Sequence, residues 1–138
     1  MYLLDTSVLS ELIKKRPNLG CINRLREQPS ESLVTAAICV MELRFGAWLR
    51  PDHETFWQRI QEEILSRVQV VHFGEREALA AGELLAHLKR AGKPIGLEDV
   101  LIGATARAHG YTVVTRNVRH FEPLPEVRVE DWFSASPT

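Results

Sequence analysis

Apolar positions along the chain follow two alternating patterns. Short, nearly unbroken apolar or β-branched runs stand at Tyr2–Leu4, Ser32–Val34, Val68–Phe73, Thr112–Thr115 and Val127–Val129. Runs this short read as strands, and their continuous apolar character is that of strands covered on both faces. Between them lie longer segments whose apolar residues recur every three or four positions. The first predicted helix starts at Thr6 or Ser7 as N-cap and runs to Lys15, with Pro17 beyond it as a stop. Others are predicted from Asn18 to Gln28, from Ile38 to Leu49 (with Ile38, Met41, Phe45 and Leu49 at helical spacing) and from Asp52 to Ser66. The last two run from Arg76 to Ala91 and from Leu97 to His109, each followed by a glycine suited to a helix C-terminus, Gly92 and Gly110.

Strands alternating with helices in this way predict an α/β fold: a three-layer α/β/α sandwich around a mostly parallel central sheet. With 138 residues, of which 45% are hydrophobic, the chain can build one core. Residues 1–133 are expected to form a single domain, and the small polar residues 134–138 a flexible tail.

Charge narrows the picture. Seventeen Lys and Arg against 18 Asp and Glu give a net charge of −1. Bulk charge therefore carries no nucleic-acid signature, and such a partner must be met by a local basic patch or a bound cation. Cys21 and Cys39 have no paired-ligand spacing and read as reduced thiols of a cytoplasmic protein. The N-terminus lacks a basic leader, Asp5 interrupts its apolar run, and no stretch approaches the ~20 apolar residues of a membrane span. The five histidines show no HExxH spacing, and there is no Walker loop or GxGxxG.

The candidate chemistry lies in the acids. Ligands of open α/β sheets bind beyond the carboxyl ends of the strands. Asp5 follows the first strand directly, where an acid also serves to cap the next helix. Glu42 sits within a helix, beside an apolar stripe, where a carboxylate is costly unless paired, protonated or bound to a cation. Pairing with Arg44 or Arg50 would satisfy it equally. Asp99 opens the sixth helix, whose Gly103, Ala104, Ala106 and Ala108 would let it lie close to the sheet, while Glu98 points to solvent. Thr115-Arg116-Asn117 follow the fourth strand and reach the same rim, with Asn117 able to offer a carbonyl oxygen or simply to make a turn. Clustered carboxylates raise one another's pKa and call for a cation; oxygen donors suit Mg²⁺ or Mn²⁺, which activate water for displacement at phosphorus.

The segments LLDTSVLSEL, VMELRFGA and PIGLEDVLIGATARAHGYTVVTRNVRHFEPLP resemble a PIN domain, and more narrowly the VapC-type toxins of bacterial toxin–antitoxin pairs. The resemblance spans Met1 to about Phe133. It implies a metal-dependent endoribonuclease in which Asp5, Glu42 and Asp99 hold Mg²⁺ or Mn²⁺, with Asn117 among the catalytic residues and Thr6 and Thr115 as supporting hydroxyls. Asn117 and His120 stand where many relatives carry further acids, a loss of negative charge that weakens a second metal position. Arg116, Arg119 and, less directly, Arg44 are candidates for RNA phosphates. A homodimer and a cognate VapB-type antitoxin are the implied partners; Trp48, Phe56 and Trp57 are possible anchors for the antitoxin, though core positions are the simpler expectation. The competing reading is a module that binds metal, RNA or antitoxin without cutting. An aspartyl phosphatase or receiver domain is disfavoured, because Asp5-Thr6-Ser7 lacks the second acid and no late-strand lysine follows.

Overall fold

Five short strands form one sheet in the computed structural model, which describes residues 1–133; the expected tail at 134–138 lies outside the described residues. The strands are β1 (Tyr2–Leu4), β2 (Leu33–Ala36), β3 (Gln69–Val71), β4 (Thr112–Val114) and β5 (Arg128–Glu130), ordered β3-β2-β1-β4-β5, and every adjacent pair is parallel. Tyr2 is level with Leu33 on one side and Thr112 on the other, and Leu4 with Val114, so β1 and β4 end side by side.

From β1 the chain steps outward through β2 to β3, then crosses back past β1 to β4 and β5. Right-handed crossovers place the first set of connecting helices on one face and the second set on the other, which gives three layers. The helices are α1 (Thr6–Leu9), α2 (Leu19–Glu27), α3 (Ala37–Trp48), α4 (His53–Glu63), α5 (Glu75–Ala91), α6 (Leu97–His109) and α7 (Val118–Phe121). The winding reverses between β1 and β4, and a crevice beyond the strand ends opens at such a reversal. No helix among the described residues is long and apolar enough to cross a membrane.

The central strands carry the core. Leu3, Leu4, Val113 and Val114 are fully buried, Val34 nearly so, packed with Val8, Leu9, Leu84, Val100, Ile102, Phe121 and Trp132. β3 and β5, by contrast, contain no fully buried residue, as suits strands at the two edges of the sheet. Gly92 (φ 65°) and Gly110 (φ 72°) end α5 and α6 in the left-handed conformation, as their positions after the two periodic segments predict.

Three elements depart from the sequence reading. The first helix does not run to Lys15: it is capped by Asp5, ends at Leu9 and tightens into a 3-10 turn over Ser10–Ile13. Glu11 explains the turn. It is buried, accepts the Asn18 N–H at 2.8 Å, pairs with the Lys14 ammonium, and so ties the turn to the entrance of α2. Second, α3 buries Cys39, Leu43 and Ala47 rather than the expected stripe; Met41, Phe45 and Leu49 are exposed. This helix is apolar nearly all round, so spacing alone does not choose its inner face. Trp48 is likewise exposed, whereas Phe56 and Trp57 pack partly buried against the core. Third, the segment after β4, for which no helix is predicted, forms the short helix α7.

Ala104 and Ala106 are fully buried in α6, as the small-residue run anticipates, but Gly103 serves another neighbour. A Cβ there would stand 2.5 Å from Leu124 Cδ1 and 3.8 Å from Phe121 and Val127 side-chain atoms. The bare backbone lets the α7 region close onto α6. Gly103→Val is expected to cost about 1–3 kcal/mol of stability by overpacking, measured by urea unfolding, and Leu124→Ala in the same chain should recover part of that loss.

Candidate active site

The rim at the winding reversal is built from the ends of β1 and β4. The Asp5 N–H donates to the Val114 carbonyl at 2.9 Å, extending the ladder by one bond and fixing the Asp5 backbone. Its side chain is 6% exposed. Oδ1 accepts the Thr6 N–H at 2.8 Å, the capping bond expected of this position, and Oδ2 accepts the Thr115 hydroxyl at 2.7 Å. Capping and a place in the site are thus compatible. Thr115 is fully buried, and its Oγ1 also accepts the Asn117 N–H at 3.0 Å. Ser7 Oγ lies 3.5 Å from both Asp5 Oδ2 and Thr115 Oγ1 and accepts the Arg116 N–H at 3.1 Å.

Glu42 reaches the same rim from α3. Its Oε1 accepts the Thr6 hydroxyl at 3.0 Å. Neither proposed arginine partner takes it: Arg44 lies over the Trp48 ring at 3.5 Å and Arg50 pairs with Asp52 at 2.8 Å. Burial, followed by the charges of Asp5, Asp99 and Glu98, pushes the Glu42 carboxyl above its ordinary range despite the opposing Thr6 bond. Asp99, half-buried in the first turn of α6, is also raised by burial and by Asp5 and Glu98, against the lowering influence of His120. Its Oδ2 stands 3.1 Å from His120 Nδ1. Glu98 is exposed, as expected.

Ligand atoms of Asp5, Glu42 and Cys39 all lie within 4.8 Å of one another; Asp99 is not in that group but lies within the electrostatic reach of Asp5 and Glu42. Cys39 was missed by the sequence reading, although it stands three positions before Glu42, one helical turn away on the same side of α3. Burial pushes its thiol up to about 12, so it is neutral and a poor partner for a hard cation. Ser7 was also missed as a member of the cluster, and His120 was noted there only as the loss of an acid, not as a partner of Asp99. The Ser7 contacts need the strand register and the His120 contact needs α7, neither of which a local pattern supplies. The other predicted rim residues are less convergent. Asn117 is exposed and makes no capping bond with its side chain, Arg119 is exposed on α7, and the Arg116 guanidinium lies 4.1 Å from the Phe133 ring centroid.

The donor set fits a hard divalent cation. Carboxylate oxygens held at fixed positions, with two acids raised partly by their neighbours' charge, form an arrangement that a positive ion relieves. Without the ion the crowding costs stability. A carboxyl raised in the fold carries no penalty when protonated in both folded and unfolded states; the penalty appears as pH rises through the unfolded value and is complete above the raised folded one. Glu42→Gln keeps an acceptor for Thr6 and removes the charge. In EDTA it is expected to raise Tm by roughly 3 °C at pH 8, with the gain vanishing towards pH 4, as scanning calorimetry would record. Thr115→Val should instead cost about 1–3 kcal/mol in denaturant unfolding, because Asp5 and the Asn117 N–H both lose a partner.

Comparison with known proteins shows likeness along nearly the whole chain. The PIN domain family model matches residues 2–126. The chain is 32% identical to the tRNA(fMet)-specific endonuclease VapC of Salmonella typhimurium over 95% of this chain and 97% of that one. It is 38% identical to VapC ribonuclease Y4jK of Sinorhizobium fredii over 96% and 98%. Among solved structures, FitAcB from Neisseria gonorrhoeae superposes with a TM-score of 0.89 at 31% identity, over 98% of this chain and 100% of that one. DNA-bound VapBC from Salmonella typhimurium gives 0.86 at 33%, over 95% and 97%.

Proposed function

The chain belongs to the PIN domain family, and from that premise we propose that it is the toxin of a toxin–antitoxin pair, an endoribonuclease that hydrolyses RNA phosphodiesters with Mg²⁺ or Mn²⁺. The observation that carries this reading is the closeness of Asp5 and Glu42 at the rim where the winding reverses, each held by a threonine hydroxyl and both within the electrostatic reach of Asp99.

Asp5, Glu42 and Asp99 are the residues to hold the ion. When bound, it supplies charge neutralisation at phosphorus and makes water more acidic. The protein's own contribution is position and proton handling. Thr115 and Ser7 keep Asp5 in one orientation, and Thr6 keeps Glu42 facing it. Glu42, raised by burial, is the group suited to accept a proton from the attacking water. Of the three candidate arginines, exposed Arg119 is the one suited to meet an RNA phosphate, since Arg116 rests on Phe133 and Arg44 on Trp48.

The partners are a VapB-type antitoxin and a second copy of the chain. VapBC and FitAB complexes are among the structures it resembles. The exposed row Met41, Phe45, Trp48 and Leu49 on α3 is an apolar surface of the kind such contacts cover.

The purified chain is expected to cut total cellular RNA at discrete positions with Mg²⁺ or Mn²⁺, to stop in EDTA, and to lose at least about 100-fold in rate on Asp5→Asn. Cleavage indifferent to EDTA and to Asp5→Asn would sink the reading. A non-cleaving binding module has one observation in its favour, the absence of a carboxylate at positions 117 and 120, which are Asn117 and His120. An inert wild type made active by Asn117→Asp would favour that alternative.

A further inference from the structure

We propose that His120 Nδ1 is a ligand of the divalent cation, so that this centre consists of three carboxylates and one imidazole and prefers a transition-metal ion such as Mn²⁺ to Mg²⁺. The proposal rests on the metal-dependent reading above and adds a residue and a selectivity to it.

His120 is placed by packing rather than by chance. Its neighbour Phe121 is fully buried, and Phe121 and Leu124 close against the bare Gly103 of α6, which brings α7 over the first turn of that helix. There Nδ1 stands 3.1 Å from Asp99 Oδ2. Adjacent ligands of an octahedral ion bound at about 2.1 Å are themselves about 3 Å apart, so the pair already has the spacing of two cis ligands. The imidazole is 57% exposed and opens to solvent, from which an ion arrives. Asp99 is outside the 4.8 Å group of Asp5, Glu42 and Cys39. An ion that engages Asp99 Oδ2 comes within reach of His120, whose Nδ1 is its neighbour at 3.1 Å.

Charge argues the same way. Three ionised carboxylates already exceed one divalent ion, and a neutral fourth donor completes the shell without adding repulsion. A nitrogen donor penalises Mg²⁺, which demands hard oxygen ligands, more than Mn²⁺, which tolerates imidazole.

The test is binding of Mn²⁺ alone and Mg²⁺ alone to the purified full chain, by calorimetry, with pulsed electron paramagnetic resonance of the Mn²⁺ form. The expected result is nitrogen hyperfine coupling in the wild type that is absent in His120→Ala. Mn²⁺ affinity should fall about 10-fold in that variant, with Mg²⁺ affinity nearly unchanged. His120→Asp should strengthen Mg²⁺ binding, a gain that a merely structural role for His120 would not give. Mn²⁺ binding that depends on Asp5 but shows no nitrogen coupling overturns this assignment alone. Absence of any Mn²⁺ binding overturns it together with the metal-dependent reading.

Discussion

The structure turns on one hydrogen bond across two strand ends, from the Thr115 hydroxyl to Asp5 Oδ2. It joins β4 to β1 where the winding of the sheet reverses, the point at which an open parallel sheet exposes a crevice. Asp5 is nearly buried there and carries its charge into a region that also receives Glu42 and Asp99. Burying a carboxylate is tolerable only when its oxygens are satisfied. The backbone at Thr6, the hydroxyl of Thr115 and the nearby Ser7 meet that requirement, and Thr6 does the same for Glu42. The first turn of α1 thus presents an N–H and an O–H donor, both from Thr6, to two acids.

What was legible in the sequence was whatever a strand end or a helix start announces locally. Asp5 comes straight after β1, Asp99 lies in the first turn of α6, and Thr115 comes straight after β4; a parallel sheet must bring such positions to one rim. The core of the sheet was legible for the same reason, because strands buried on both faces are apolar throughout. The edge strands were legible as strands from Val68–Phe73 and Val127–Val129, but their place at the edges follows only from the strand order. The inner face of α3 was not legible. Its exposed row is as apolar as its buried one, so periodicity points both ways, and only packing selects Cys39, Leu43 and Ala47.

That ambiguity has a physical source. A helix apolar on one side buries that side in its own fold; a helix apolar on two sides has a second surface to cover. α3 has such a second surface in Met41, Phe45, Trp48 and Leu49, with the Arg44 guanidinium lying over Trp48 and near Trp57. Glu42 lies at the border between the two, adjacent to buried Leu43 and exposed Met41. The same helix therefore serves the core, the acidic rim and an outward apolar face. A substitution on α3 is read correctly only when the face is known, and a loss of function there is not evidence about the site until stability has been measured beside it.

The rim also holds more acid than the fold alone would favour. Glu42 and Asp99 are both raised by burial first and by their neighbours' charges next, so the metal-free chain carries a standing electrostatic cost. Proteins keep such arrangements where the strain serves binding. The compensations are local and of different kinds: hydroxyls at Thr6, Ser7 and Thr115 orient the oxygens without adding charge, and His120 offers Asp99 a partner from α7. Neutral donors alone do not remove the repulsion between carboxylates; they only hold the oxygens still while it persists. A cation does remove it, and does so most effectively where the oxygens are already fixed and little ordering remains to be done on binding. The hydroxyl network and the crowding of the acids are therefore two halves of one device: the first keeps the second from being relieved by simple side-chain rotation, and so preserves the affinity for a positive ion.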